Sequence, residues 1–452
     1  MLKGMSVAAT TLGCKVNQAE TDSMLDMLKA AGANIVEFDE KADIYIVNTC
    51  SVTNIADKKS RQMLHRARKM NPDGIVIAAG CYVQSAREIL EQDEAIDIVI
   101  SNNKKKSITE IVNDYINVRN NGKNAPGKDH EAMEYFVDIS RETEYEEMGG
   151  HVPVGHTRAY VKIQDGCNQF CSYCIIPYVR GRIRSRSQEA ILAEVSELAE
   201  AGIKEVVLTG IHISSYGKDK NNEGALIELI EAISKIKGIK RIRLGSLEPG
   251  IITEEFVERI SSNSKVCPHF HLSLQSGCDS VLKRMNRKYT CKQYFEKCDM
   301  LRKAYKSPAL TTDVIVGFPG ETEEEFAETV RYLTELNLYE MHIFKYSPRK
   351  GTVAAAMKEQ VAPEIKNERS DVLLKLAHDN KTAYEAQFEG CELEVLVEEV
   401  VKKDNRTYLR GHTERYMDIF IDVGDISMPE SFVNSFVYVT YTQNGGNLPL
   451  LL

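Results

Sequence analysis

The chain reads as α/β, in three parts: an N-terminal parallel α/β domain, a partial (β/α)6 barrel and a small C-terminal β-barrel. Three observations predict this. Apolar runs of strand length alternate with helical patterns up to about residue 103. A second such series runs over residues 158–385. The tail over 384–447 instead alternates apolar and polar positions with period two.

In the first series, strands are expected at Ser6–Thr11, Ile44–Val47 and Ile75–Ala79. Helices follow near Glu20–Ala31, over 57–70 and from Ser85. Repeated β-α units build a parallel sheet. A cysteine stands at the end of each strand: Cys14, Cys50 and Cys81, separated by 36 and 31 residues. These separations match one βαβ unit. Ligand sites in open parallel sheets lie at the carboxyl ends of strands, so the three thiols are placed to converge on a metal. Three unrelated buried thiols are the alternative that spacing alone leaves open. Residues 104–150 are polar and charged, and read as a surface helix followed by a loose linker.

In the second series, strands are expected at Ala159–Ile163, Glu205–Thr209, Arg241–Gly245, His269–Leu274, Thr312–Val316 and His342–Tyr346. Six parallel strands suit a partial barrel better than a closed eight-fold one. Polar and glycine residues gather just past them: Thr209-Gly210, Ser246 with Glu248, and Gln275-Ser276-Gly277. In a barrel these ends share one mouth, where active sites are built. The tail strands, Val395–Val401, Arg406–Gly411, Met417–Val423 and Phe436–Tyr441, suit a barrel of OB-fold size. The domains expected are 1–118, a linker over 119–150, 151–383 and 384–452.

The first barrel strand runs into Asp165-Gly-Cys-Asn-Gln-Phe-Cys-Ser-Tyr-Cys174. This places Cys167, Cys171 and Cys174 at C-x3-C-x2-C spacing, with no fourth cysteine nearby. A closed structural zinc site and a simple electron-transfer cluster each want four ligands. Three thiolates on a four-iron cluster leave one iron free, and such clusters perform radical chemistry with S-adenosylmethionine. Cys267, Cys278, Cys291, Cys298 and Cys391 lack ligand spacing and read as free thiols.

Composition narrows the class. The 452 residues are 43% hydrophobic and 27% charged, ordinary for a globular protein of two to four domains. No signal peptide and no apolar run of spanning length is read from the chain, so a cytosolic protein is expected. Clustered cysteines in that compartment point to metal rather than disulfides. The net charge of −9 argues against general affinity for nucleic acid, yet local basic patches still permit it. Over 57–70 a helix would set Lys58, Arg61, His65 and Arg68 on one face. If extended, 180–186 would set Arg180, Arg182, Arg184 and Arg186 on one side. Both are candidate RNA contacts, with a solvated surface as the plain alternative.

With these residues in hand, the chain resembles the methylthiotransferases of the radical S-adenosylmethionine superfamily over nearly its whole length. The resemblance rests on Thr11-Leu-Gly-Cys-Lys-Val-Asn-Gln18, Val47-Asn-Thr-Cys-Ser-Val-Thr53, Gly80-Cys-Tyr82 and the three-cysteine loop. Within the family these motifs resemble the branch acting on threonylcarbamoyladenosine in tRNA. The branches acting on isopentenyladenosine or on a ribosomal protein aspartate are similar, and remain the rival substrates. An iron–sulfur RNA-binding scaffold, and zinc at Cys14, Cys50 and Cys81, are further alternatives.

The resemblance implies a radical core and a C-terminal β-domain of the TRAM type. It implies an auxiliary 4Fe–4S cluster on Cys14, Cys50 and Cys81, and a reducing one on Cys167, Cys171 and Cys174. S-adenosylmethionine, cleaved there to a 5′-deoxyadenosyl radical, would activate C2 of the adenosine, with sulfur passing through the auxiliary cluster. Tyr173, Thr209, Gly210, Glu248 and Gln275 are the expected cofactor contacts. No side-chain acid or base is assigned. The expected partners are tRNA, an electron donor such as flavodoxin or ferredoxin, and a sulfur or cluster donor, with no membrane. Residues 384–452 depart from an RNA-binding pattern, with twelve acidic against five basic residues. RNA contact there would rest on Lys402, Lys403, Arg406, Arg410 and Arg415.

Overall fold

The structure is a computed structural model that describes residues 2–120, 135–149, 157–403, 406–424, 428–442 and 445–447. The N-terminal part runs β1 (Ser6–Thr11), α1 (Lys15–Ala30), β2 (Asn34–Val36), β3 (Ile44–Thr49), α2 (Asn54–Met70), β4 (Ile75–Gly80), α3 (Cys81–Ser85), α4 (Arg87–Glu91), β5 (Ile98–Ile100) and α5 (Ile108–Asn120). Its sheet is parallel, in the order β2-β1-β3-β4-β5. Strands β3 and β4 are buried throughout, as expected of a parallel sheet covered on both faces. Thr53 starts α2 by accepting the Ala56 amide on its side chain, and Leu64 and Ala67 hold the helix to the sheet. Residues 121–134 of the expected linker lie outside the described residues. Where the linker is described it is not loose. Ile139 is buried, Glu146 accepts the Lys106 amide at 2.9 Å, and the Tyr145 hydroxyl donates to the Lys162 carbonyl at 3.1 Å.

The barrel comprises β6 (Arg158–Asp165), α6 (Ile176–Val179), β7 (Arg184–Ser185), α7 (Gln188–Glu200), β8 (Glu205–Gly210), α8 (Ala225–Ser234), β9 (Arg241–Leu244) and α9 (Glu254–Ser261). It continues through β10 (His269–His271), α10 (Asp279–Arg284), α11 (Cys291–Ala304), β11 (Ala309–Val316), α12 (Glu323–Leu336), β12 (Glu340–Lys345) and α13 (Pro363–Ala386). Strands β6, β8 and β9 pair in parallel, as do β10, β11 and β12. A bridge between Leu247 and Leu272 joins the two sets, giving the six-stranded open barrel. Its outward residues, such as Val161, Val206, Ile242 and Leu272, pack with the helices into one core.

The C-terminal part is a closed barrel in the order β13-β14-β15-β17-β16, formed by Glu392–Lys403, Arg406–Thr413, Asp418–Asp422, Gly445–Asn447 and Phe436–Thr442 respectively. It is anchored to the open barrel by charge. Arg241 donates to the His412 carbonyl at 3.0 Å, and Arg243 to the Glu414 carbonyl at 2.9 Å.

Candidate active site: two cysteine trios and the barrel-mouth cavity

Cys14, Cys50 and Cys81 each follow a strand, and β1, β3 and β4 are immediate neighbours in the sheet. Their common edge brings the thiols together. Burial first, with Cys81 and Cys14 adding, pushes the Cys50 thiol up to about 11. Gly13 makes the close approach possible. Its φ of +106° suits glycine, and a Cβ there would stand 2.8 Å from both Cβ and Sγ of Cys50.

Cys167, Cys171 and Cys174 lie on the loop after β6. Burial first pushes Cys167 to about 11 and Cys174 to about 12. N–H donors already point at the sulfurs. The Gln169 amide stands 3.4 Å from Cys167 Sγ, and Arg287 Nη1 3.2 Å from Cys171 Sγ. Arg180 Nε stands 3.2 Å from Cys81 Sγ, and Asn102 Nδ2 3.9 Å from the same atom. Such donors stabilise thiolates and tune a cluster bound to them.

The donor sets fit four-iron clusters. Each is all thiolate and one ligand short of closure. A single zinc ion, with a bond of about 2.3 Å to sulfur, would draw its thiolates to about 3.8 Å of one another. Among the described residues, only His271, Asp313 and His342 bring their ligand atoms within 4.8 Å of one another.

A cavity of about 310 Å³ opens at the barrel mouth, lined by the barrel trio but by none of Cys14, Cys50 and Cys81. Val52 and Thr53, just past Cys50, line it together with Cys167, Cys171 and Cys174. Cys81 packs against Ile175 and Val179 of the opposite loop, tying the halves together. Of the expected cofactor contacts, Tyr173, Glu248 and Gln275 line the cavity. Tyr173 meets Phe318 edge-on at 6.5 Å. Gln275 holds a φ of +79°, a conformation non-glycine residues keep at functional positions. Thr209 is buried, and neither it nor Gly210 lines the cavity; Ile211 and His212, the next residues along, do. His212 Nε2 stands 3.3 Å from the Glu248 carboxylate, and Gln169 Nε2 donates to it at 2.8 Å. Burial would raise the Glu248 carboxyl, but His212 and Arg287 hold it below its ordinary value. Sequence reasoning missed His212 and Arg287. Extending the strand-end rule by two residues would have found the first, and nothing local marks the second.

The arginine stripe is corrected by the structure. Arg180, Arg184 and Arg186 are buried, and only Arg182 is exposed, over the Phe170 ring at 4.4 Å. Arg180 follows α6 rather than continuing an extended strand. It bonds Glu20 at 2.7 Å, Asp165 at 3.0 Å and Asn17 Oδ1 at 2.6 Å. Lys162 joins Glu20 at 2.6 Å and Asp165 at 2.7 Å, and Lys105 also pairs with Glu20. Arg184 donates to the Arg180 carbonyl at 2.9 Å, and Arg186 pairs with Glu194 and Glu147. Burial alone would raise Glu20, but Arg180, Lys105 and Lys162 hold it well below the usual carboxylate range. These arginines therefore clamp α1 to the barrel. On α2, Lys58, Arg61 and His65 are exposed, while Arg68 is spent on Asp97 and nearby carbonyls.

In the C-terminal barrel, Arg406 pairs with Asp422, Arg410 with Asp418 and Glu399, and Arg415 with Glu414. Lys402 and Lys403 are exposed and make no ion pair among the described residues. A second cleft, of about 550 Å³, lies between α1 and β6 and is lined by none of the six cysteines.

A family profile described as "Radical SAM superfamily" matches residues 161–333, which hold the barrel's cysteine loop. Fold and loop together define a radical S-adenosylmethionine enzyme. Another, described as "Uncharacterized protein family UPF0004", matches residues 6–101. The chain is 40% identical over 415 residues to the threonylcarbamoyladenosine tRNA methylthiotransferase MtaB of Bacillus subtilis (strain 168), covering 92% of this chain and 90% of that one. It is 35% identical over 443 residues to the tRNA-2-methylthio-N(6)-dimethylallyladenosine synthase of Thermoanaerobacter pseudethanolicus, covering 96% and 90%. The fold is similar to that of the radical methyltransferase TsrM from Kitasatospora setae, with a TM-score of 0.53 at 15% identity, over 76% of this chain and 77% of that one. The chain belongs to the tRNA methylthiotransferase family of radical S-adenosylmethionine enzymes. Its cofactors are S-adenosylmethionine and two 4Fe–4S clusters.

Proposed function

We propose that the protein methylthiolates C2 of N6-threonylcarbamoyladenosine next to the anticodon of tRNA. The observation that carries this is a cavity lined by Cys167, Cys171 and Cys174 together with Val52 and Thr53, which follow Cys50. When bound, the cofactors supply a hydrogen-abstracting radical and a transferable sulfur, which an unactivated aromatic C–H needs and acid–base chemistry does not provide. Cys167, Cys171 and Cys174 would hold the reducing cluster, and Cys14, Cys50 and Cys81 the auxiliary one. Glu248, Arg287 and Gln275 offer an anion, a cation and an amide to the amino acid and ribose of S-adenosylmethionine, while Tyr173 offers a ring face. Val52 and Phe344, half exposed where they line the cavity, suit the splayed bases of an RNA loop. Lys58, Arg61 and Arg182 stand ready for phosphates.

The substrate reading rests on two supports. Three of the relatives named MtaB are 37–40% identical to this chain. Also, the barrel face that carries Asp313 into the cavity carries His271 and His342, with His271 Nε2 3.4 Å from Asp313. This polar layer suits a hydrophilic N6 substituent better than an isopentenyl chain. An electron donor such as flavodoxin or ferredoxin, a sulfur or cluster donor, and a cytoplasmic location complete the proposal. Among the described residues no helix is long and apolar enough to cross a membrane. Mass spectrometry of nucleosides tests the reading. Reconstituted enzyme should methylthiolate an anticodon stem-loop carrying threonylcarbamoyladenosine, and leave one carrying isopentenyladenosine unchanged. The reverse outcome refutes it.

A further inference from the structure

Three neighbouring strands of the open barrel carry a set of ligand-type side chains that neither cluster uses. In the register, His271 on β10 stands opposite Thr311 on β11, and Asp313 on β11 stands opposite His342 on β12. Thr311 and Asp313 are two residues apart, so all four side chains share one face of the sheet. Asp313 lines the cavity, so this is the face that opens towards the barrel mouth. The donor atoms of His271, Asp313 and His342 all lie within 4.8 Å of one another. His271 Nε2 stands 3.4 Å from the Asp313 carboxylate. Two ligands each about 2.1 Å from one ion, at a tetrahedral angle, stand about 3.4 Å apart. His271 Nδ1 meets the Thr311 hydroxyl at 3.0 Å, a contact that leaves Nε2 for the site and fixes the ring, as the outer partner of a ligating imidazole does. The His342 ring lies 5.8 Å from that of His271, at 23° to it.

These donors are otherwise uncommitted. Among the described residues His342 makes no hydrogen bond or ion pair, and the Asp313 carboxylate has no partner but His271. An anion entering the set would meet the Asp313 carboxylate and be repelled, so the set selects a cation. Two imidazoles suit zinc, iron or another late first-row ion, whereas magnesium and calcium prefer oxygen throughout. We infer that His271, Asp313 and His342 form a site for one divalent first-row transition ion, separate from both cysteine trios. Three protein ligands leave a further position for water, or for an oxygen donor entering from the cavity that Asp313 borders. The inference holds whichever N6 substituent the substrate carries.

The test uses the full-length protein with both clusters, dialysed anaerobically against micromolar zinc, with bound zinc and iron read together by mass spectrometry. Wild type should take up about one zinc per chain without losing iron. Its zinc K-edge absorption should show nitrogen and oxygen neighbours at about 2.0–2.2 Å, and no sulfur at about 2.3 Å. His342→Gln, at an exposed position, should weaken zinc binding by at least about tenfold, and Asp313→Asn likewise. Thr311→Val, which touches only the orientation of His271, should weaken it by about tenfold. His378→Gln, at an exposed position on α13, should change nothing, and iron content reports that each variant is intact. Three results would each overturn the inference: a wild-type protein that takes up no zinc, a His342→Gln protein that binds it with undiminished affinity, or a sulfur shell around the zinc, which would place it on the cysteines.

Discussion

Replacing Glu20 by Gln removes the hub of the buried charge network that joins α1 to the barrel. In the native protein Glu20 and Asp165 face Lys105, Lys162 and Arg180. Lys162 and Arg180 each keep Asp165 after the substitution. Lys105 keeps nothing, for its side chain is 1% exposed and Glu20 is its only ion-pair partner among the described residues. Breaking a buried pair from one side costs about 3–5 kcal/mol. The variant should lose about 3–5 kcal/mol in anaerobic urea unfolding, in the transition that separates α1 from the barrel. Glu20→Gln with Lys105→Met should recover a large part. By contrast Arg66→Ala, which breaks the exposed pair with Asp39, should cost less than about 1 kcal/mol. A Glu20→Gln protein within about 1 kcal/mol of wild type, or a double variant no better than the single one, would refute the reasoning.

Further expectations concern the site itself. Gly13→Ala would push a methyl into Cys50 and force a left-handed backbone on alanine, so reconstituted protein should hold about half the wild-type iron. Retention of full iron contradicts this. Arg287→Met removes the donor on Cys171 Sγ and should weaken retention of the reducing cluster or its activity about 10–100-fold. The check is the rate of iron loss to a chelator alongside 5′-deoxyadenosine formation, and unchanged rates count against the contact. Reversing charge at Lys402 and Lys403 should weaken tRNA binding and flatten its salt dependence, by about one unit of slope for each phosphate no longer neutralised. An unchanged affinity and slope would make the C-terminal barrel chiefly structural.

The placement of Cys14, Cys50 and Cys81 after neighbouring strands was legible because a parallel sheet delivers strand ends to one edge, and two features mark those ends: a cysteine and a helix start. The short strands Asn34–Val36 and Ile98–Ile100 were missed, being three residues each and too brief to show a period. The strand Gly445–Asn447 escaped for the same reason. The arginines at 180, 184 and 186 misled for another. Charge in a sequence argues for surface, yet Arg180 finds one partner 160 residues away in Glu20 and another 15 away in Asp165. Only the assembled fold shows those partners. His212 and Arg287 reach the cavity through loop geometry that no local pattern encodes.

As proposed, the two trios do different jobs, radical generation at one and sulfur transfer at the other. The direct measurement is a single reaction of reconstituted Cys50→Ala with Cys81→Ala, S-adenosylmethionine, a reductant and the threonylcarbamoyladenosine stem-loop, analysed for both products. The expected result is that 5′-deoxyadenosine still forms and the methylthiolated nucleoside does not, whereas wild type gives both. Methylthiolated product from the variant, or loss of 5′-deoxyadenosine with the barrel cluster intact by iron analysis, would contradict it.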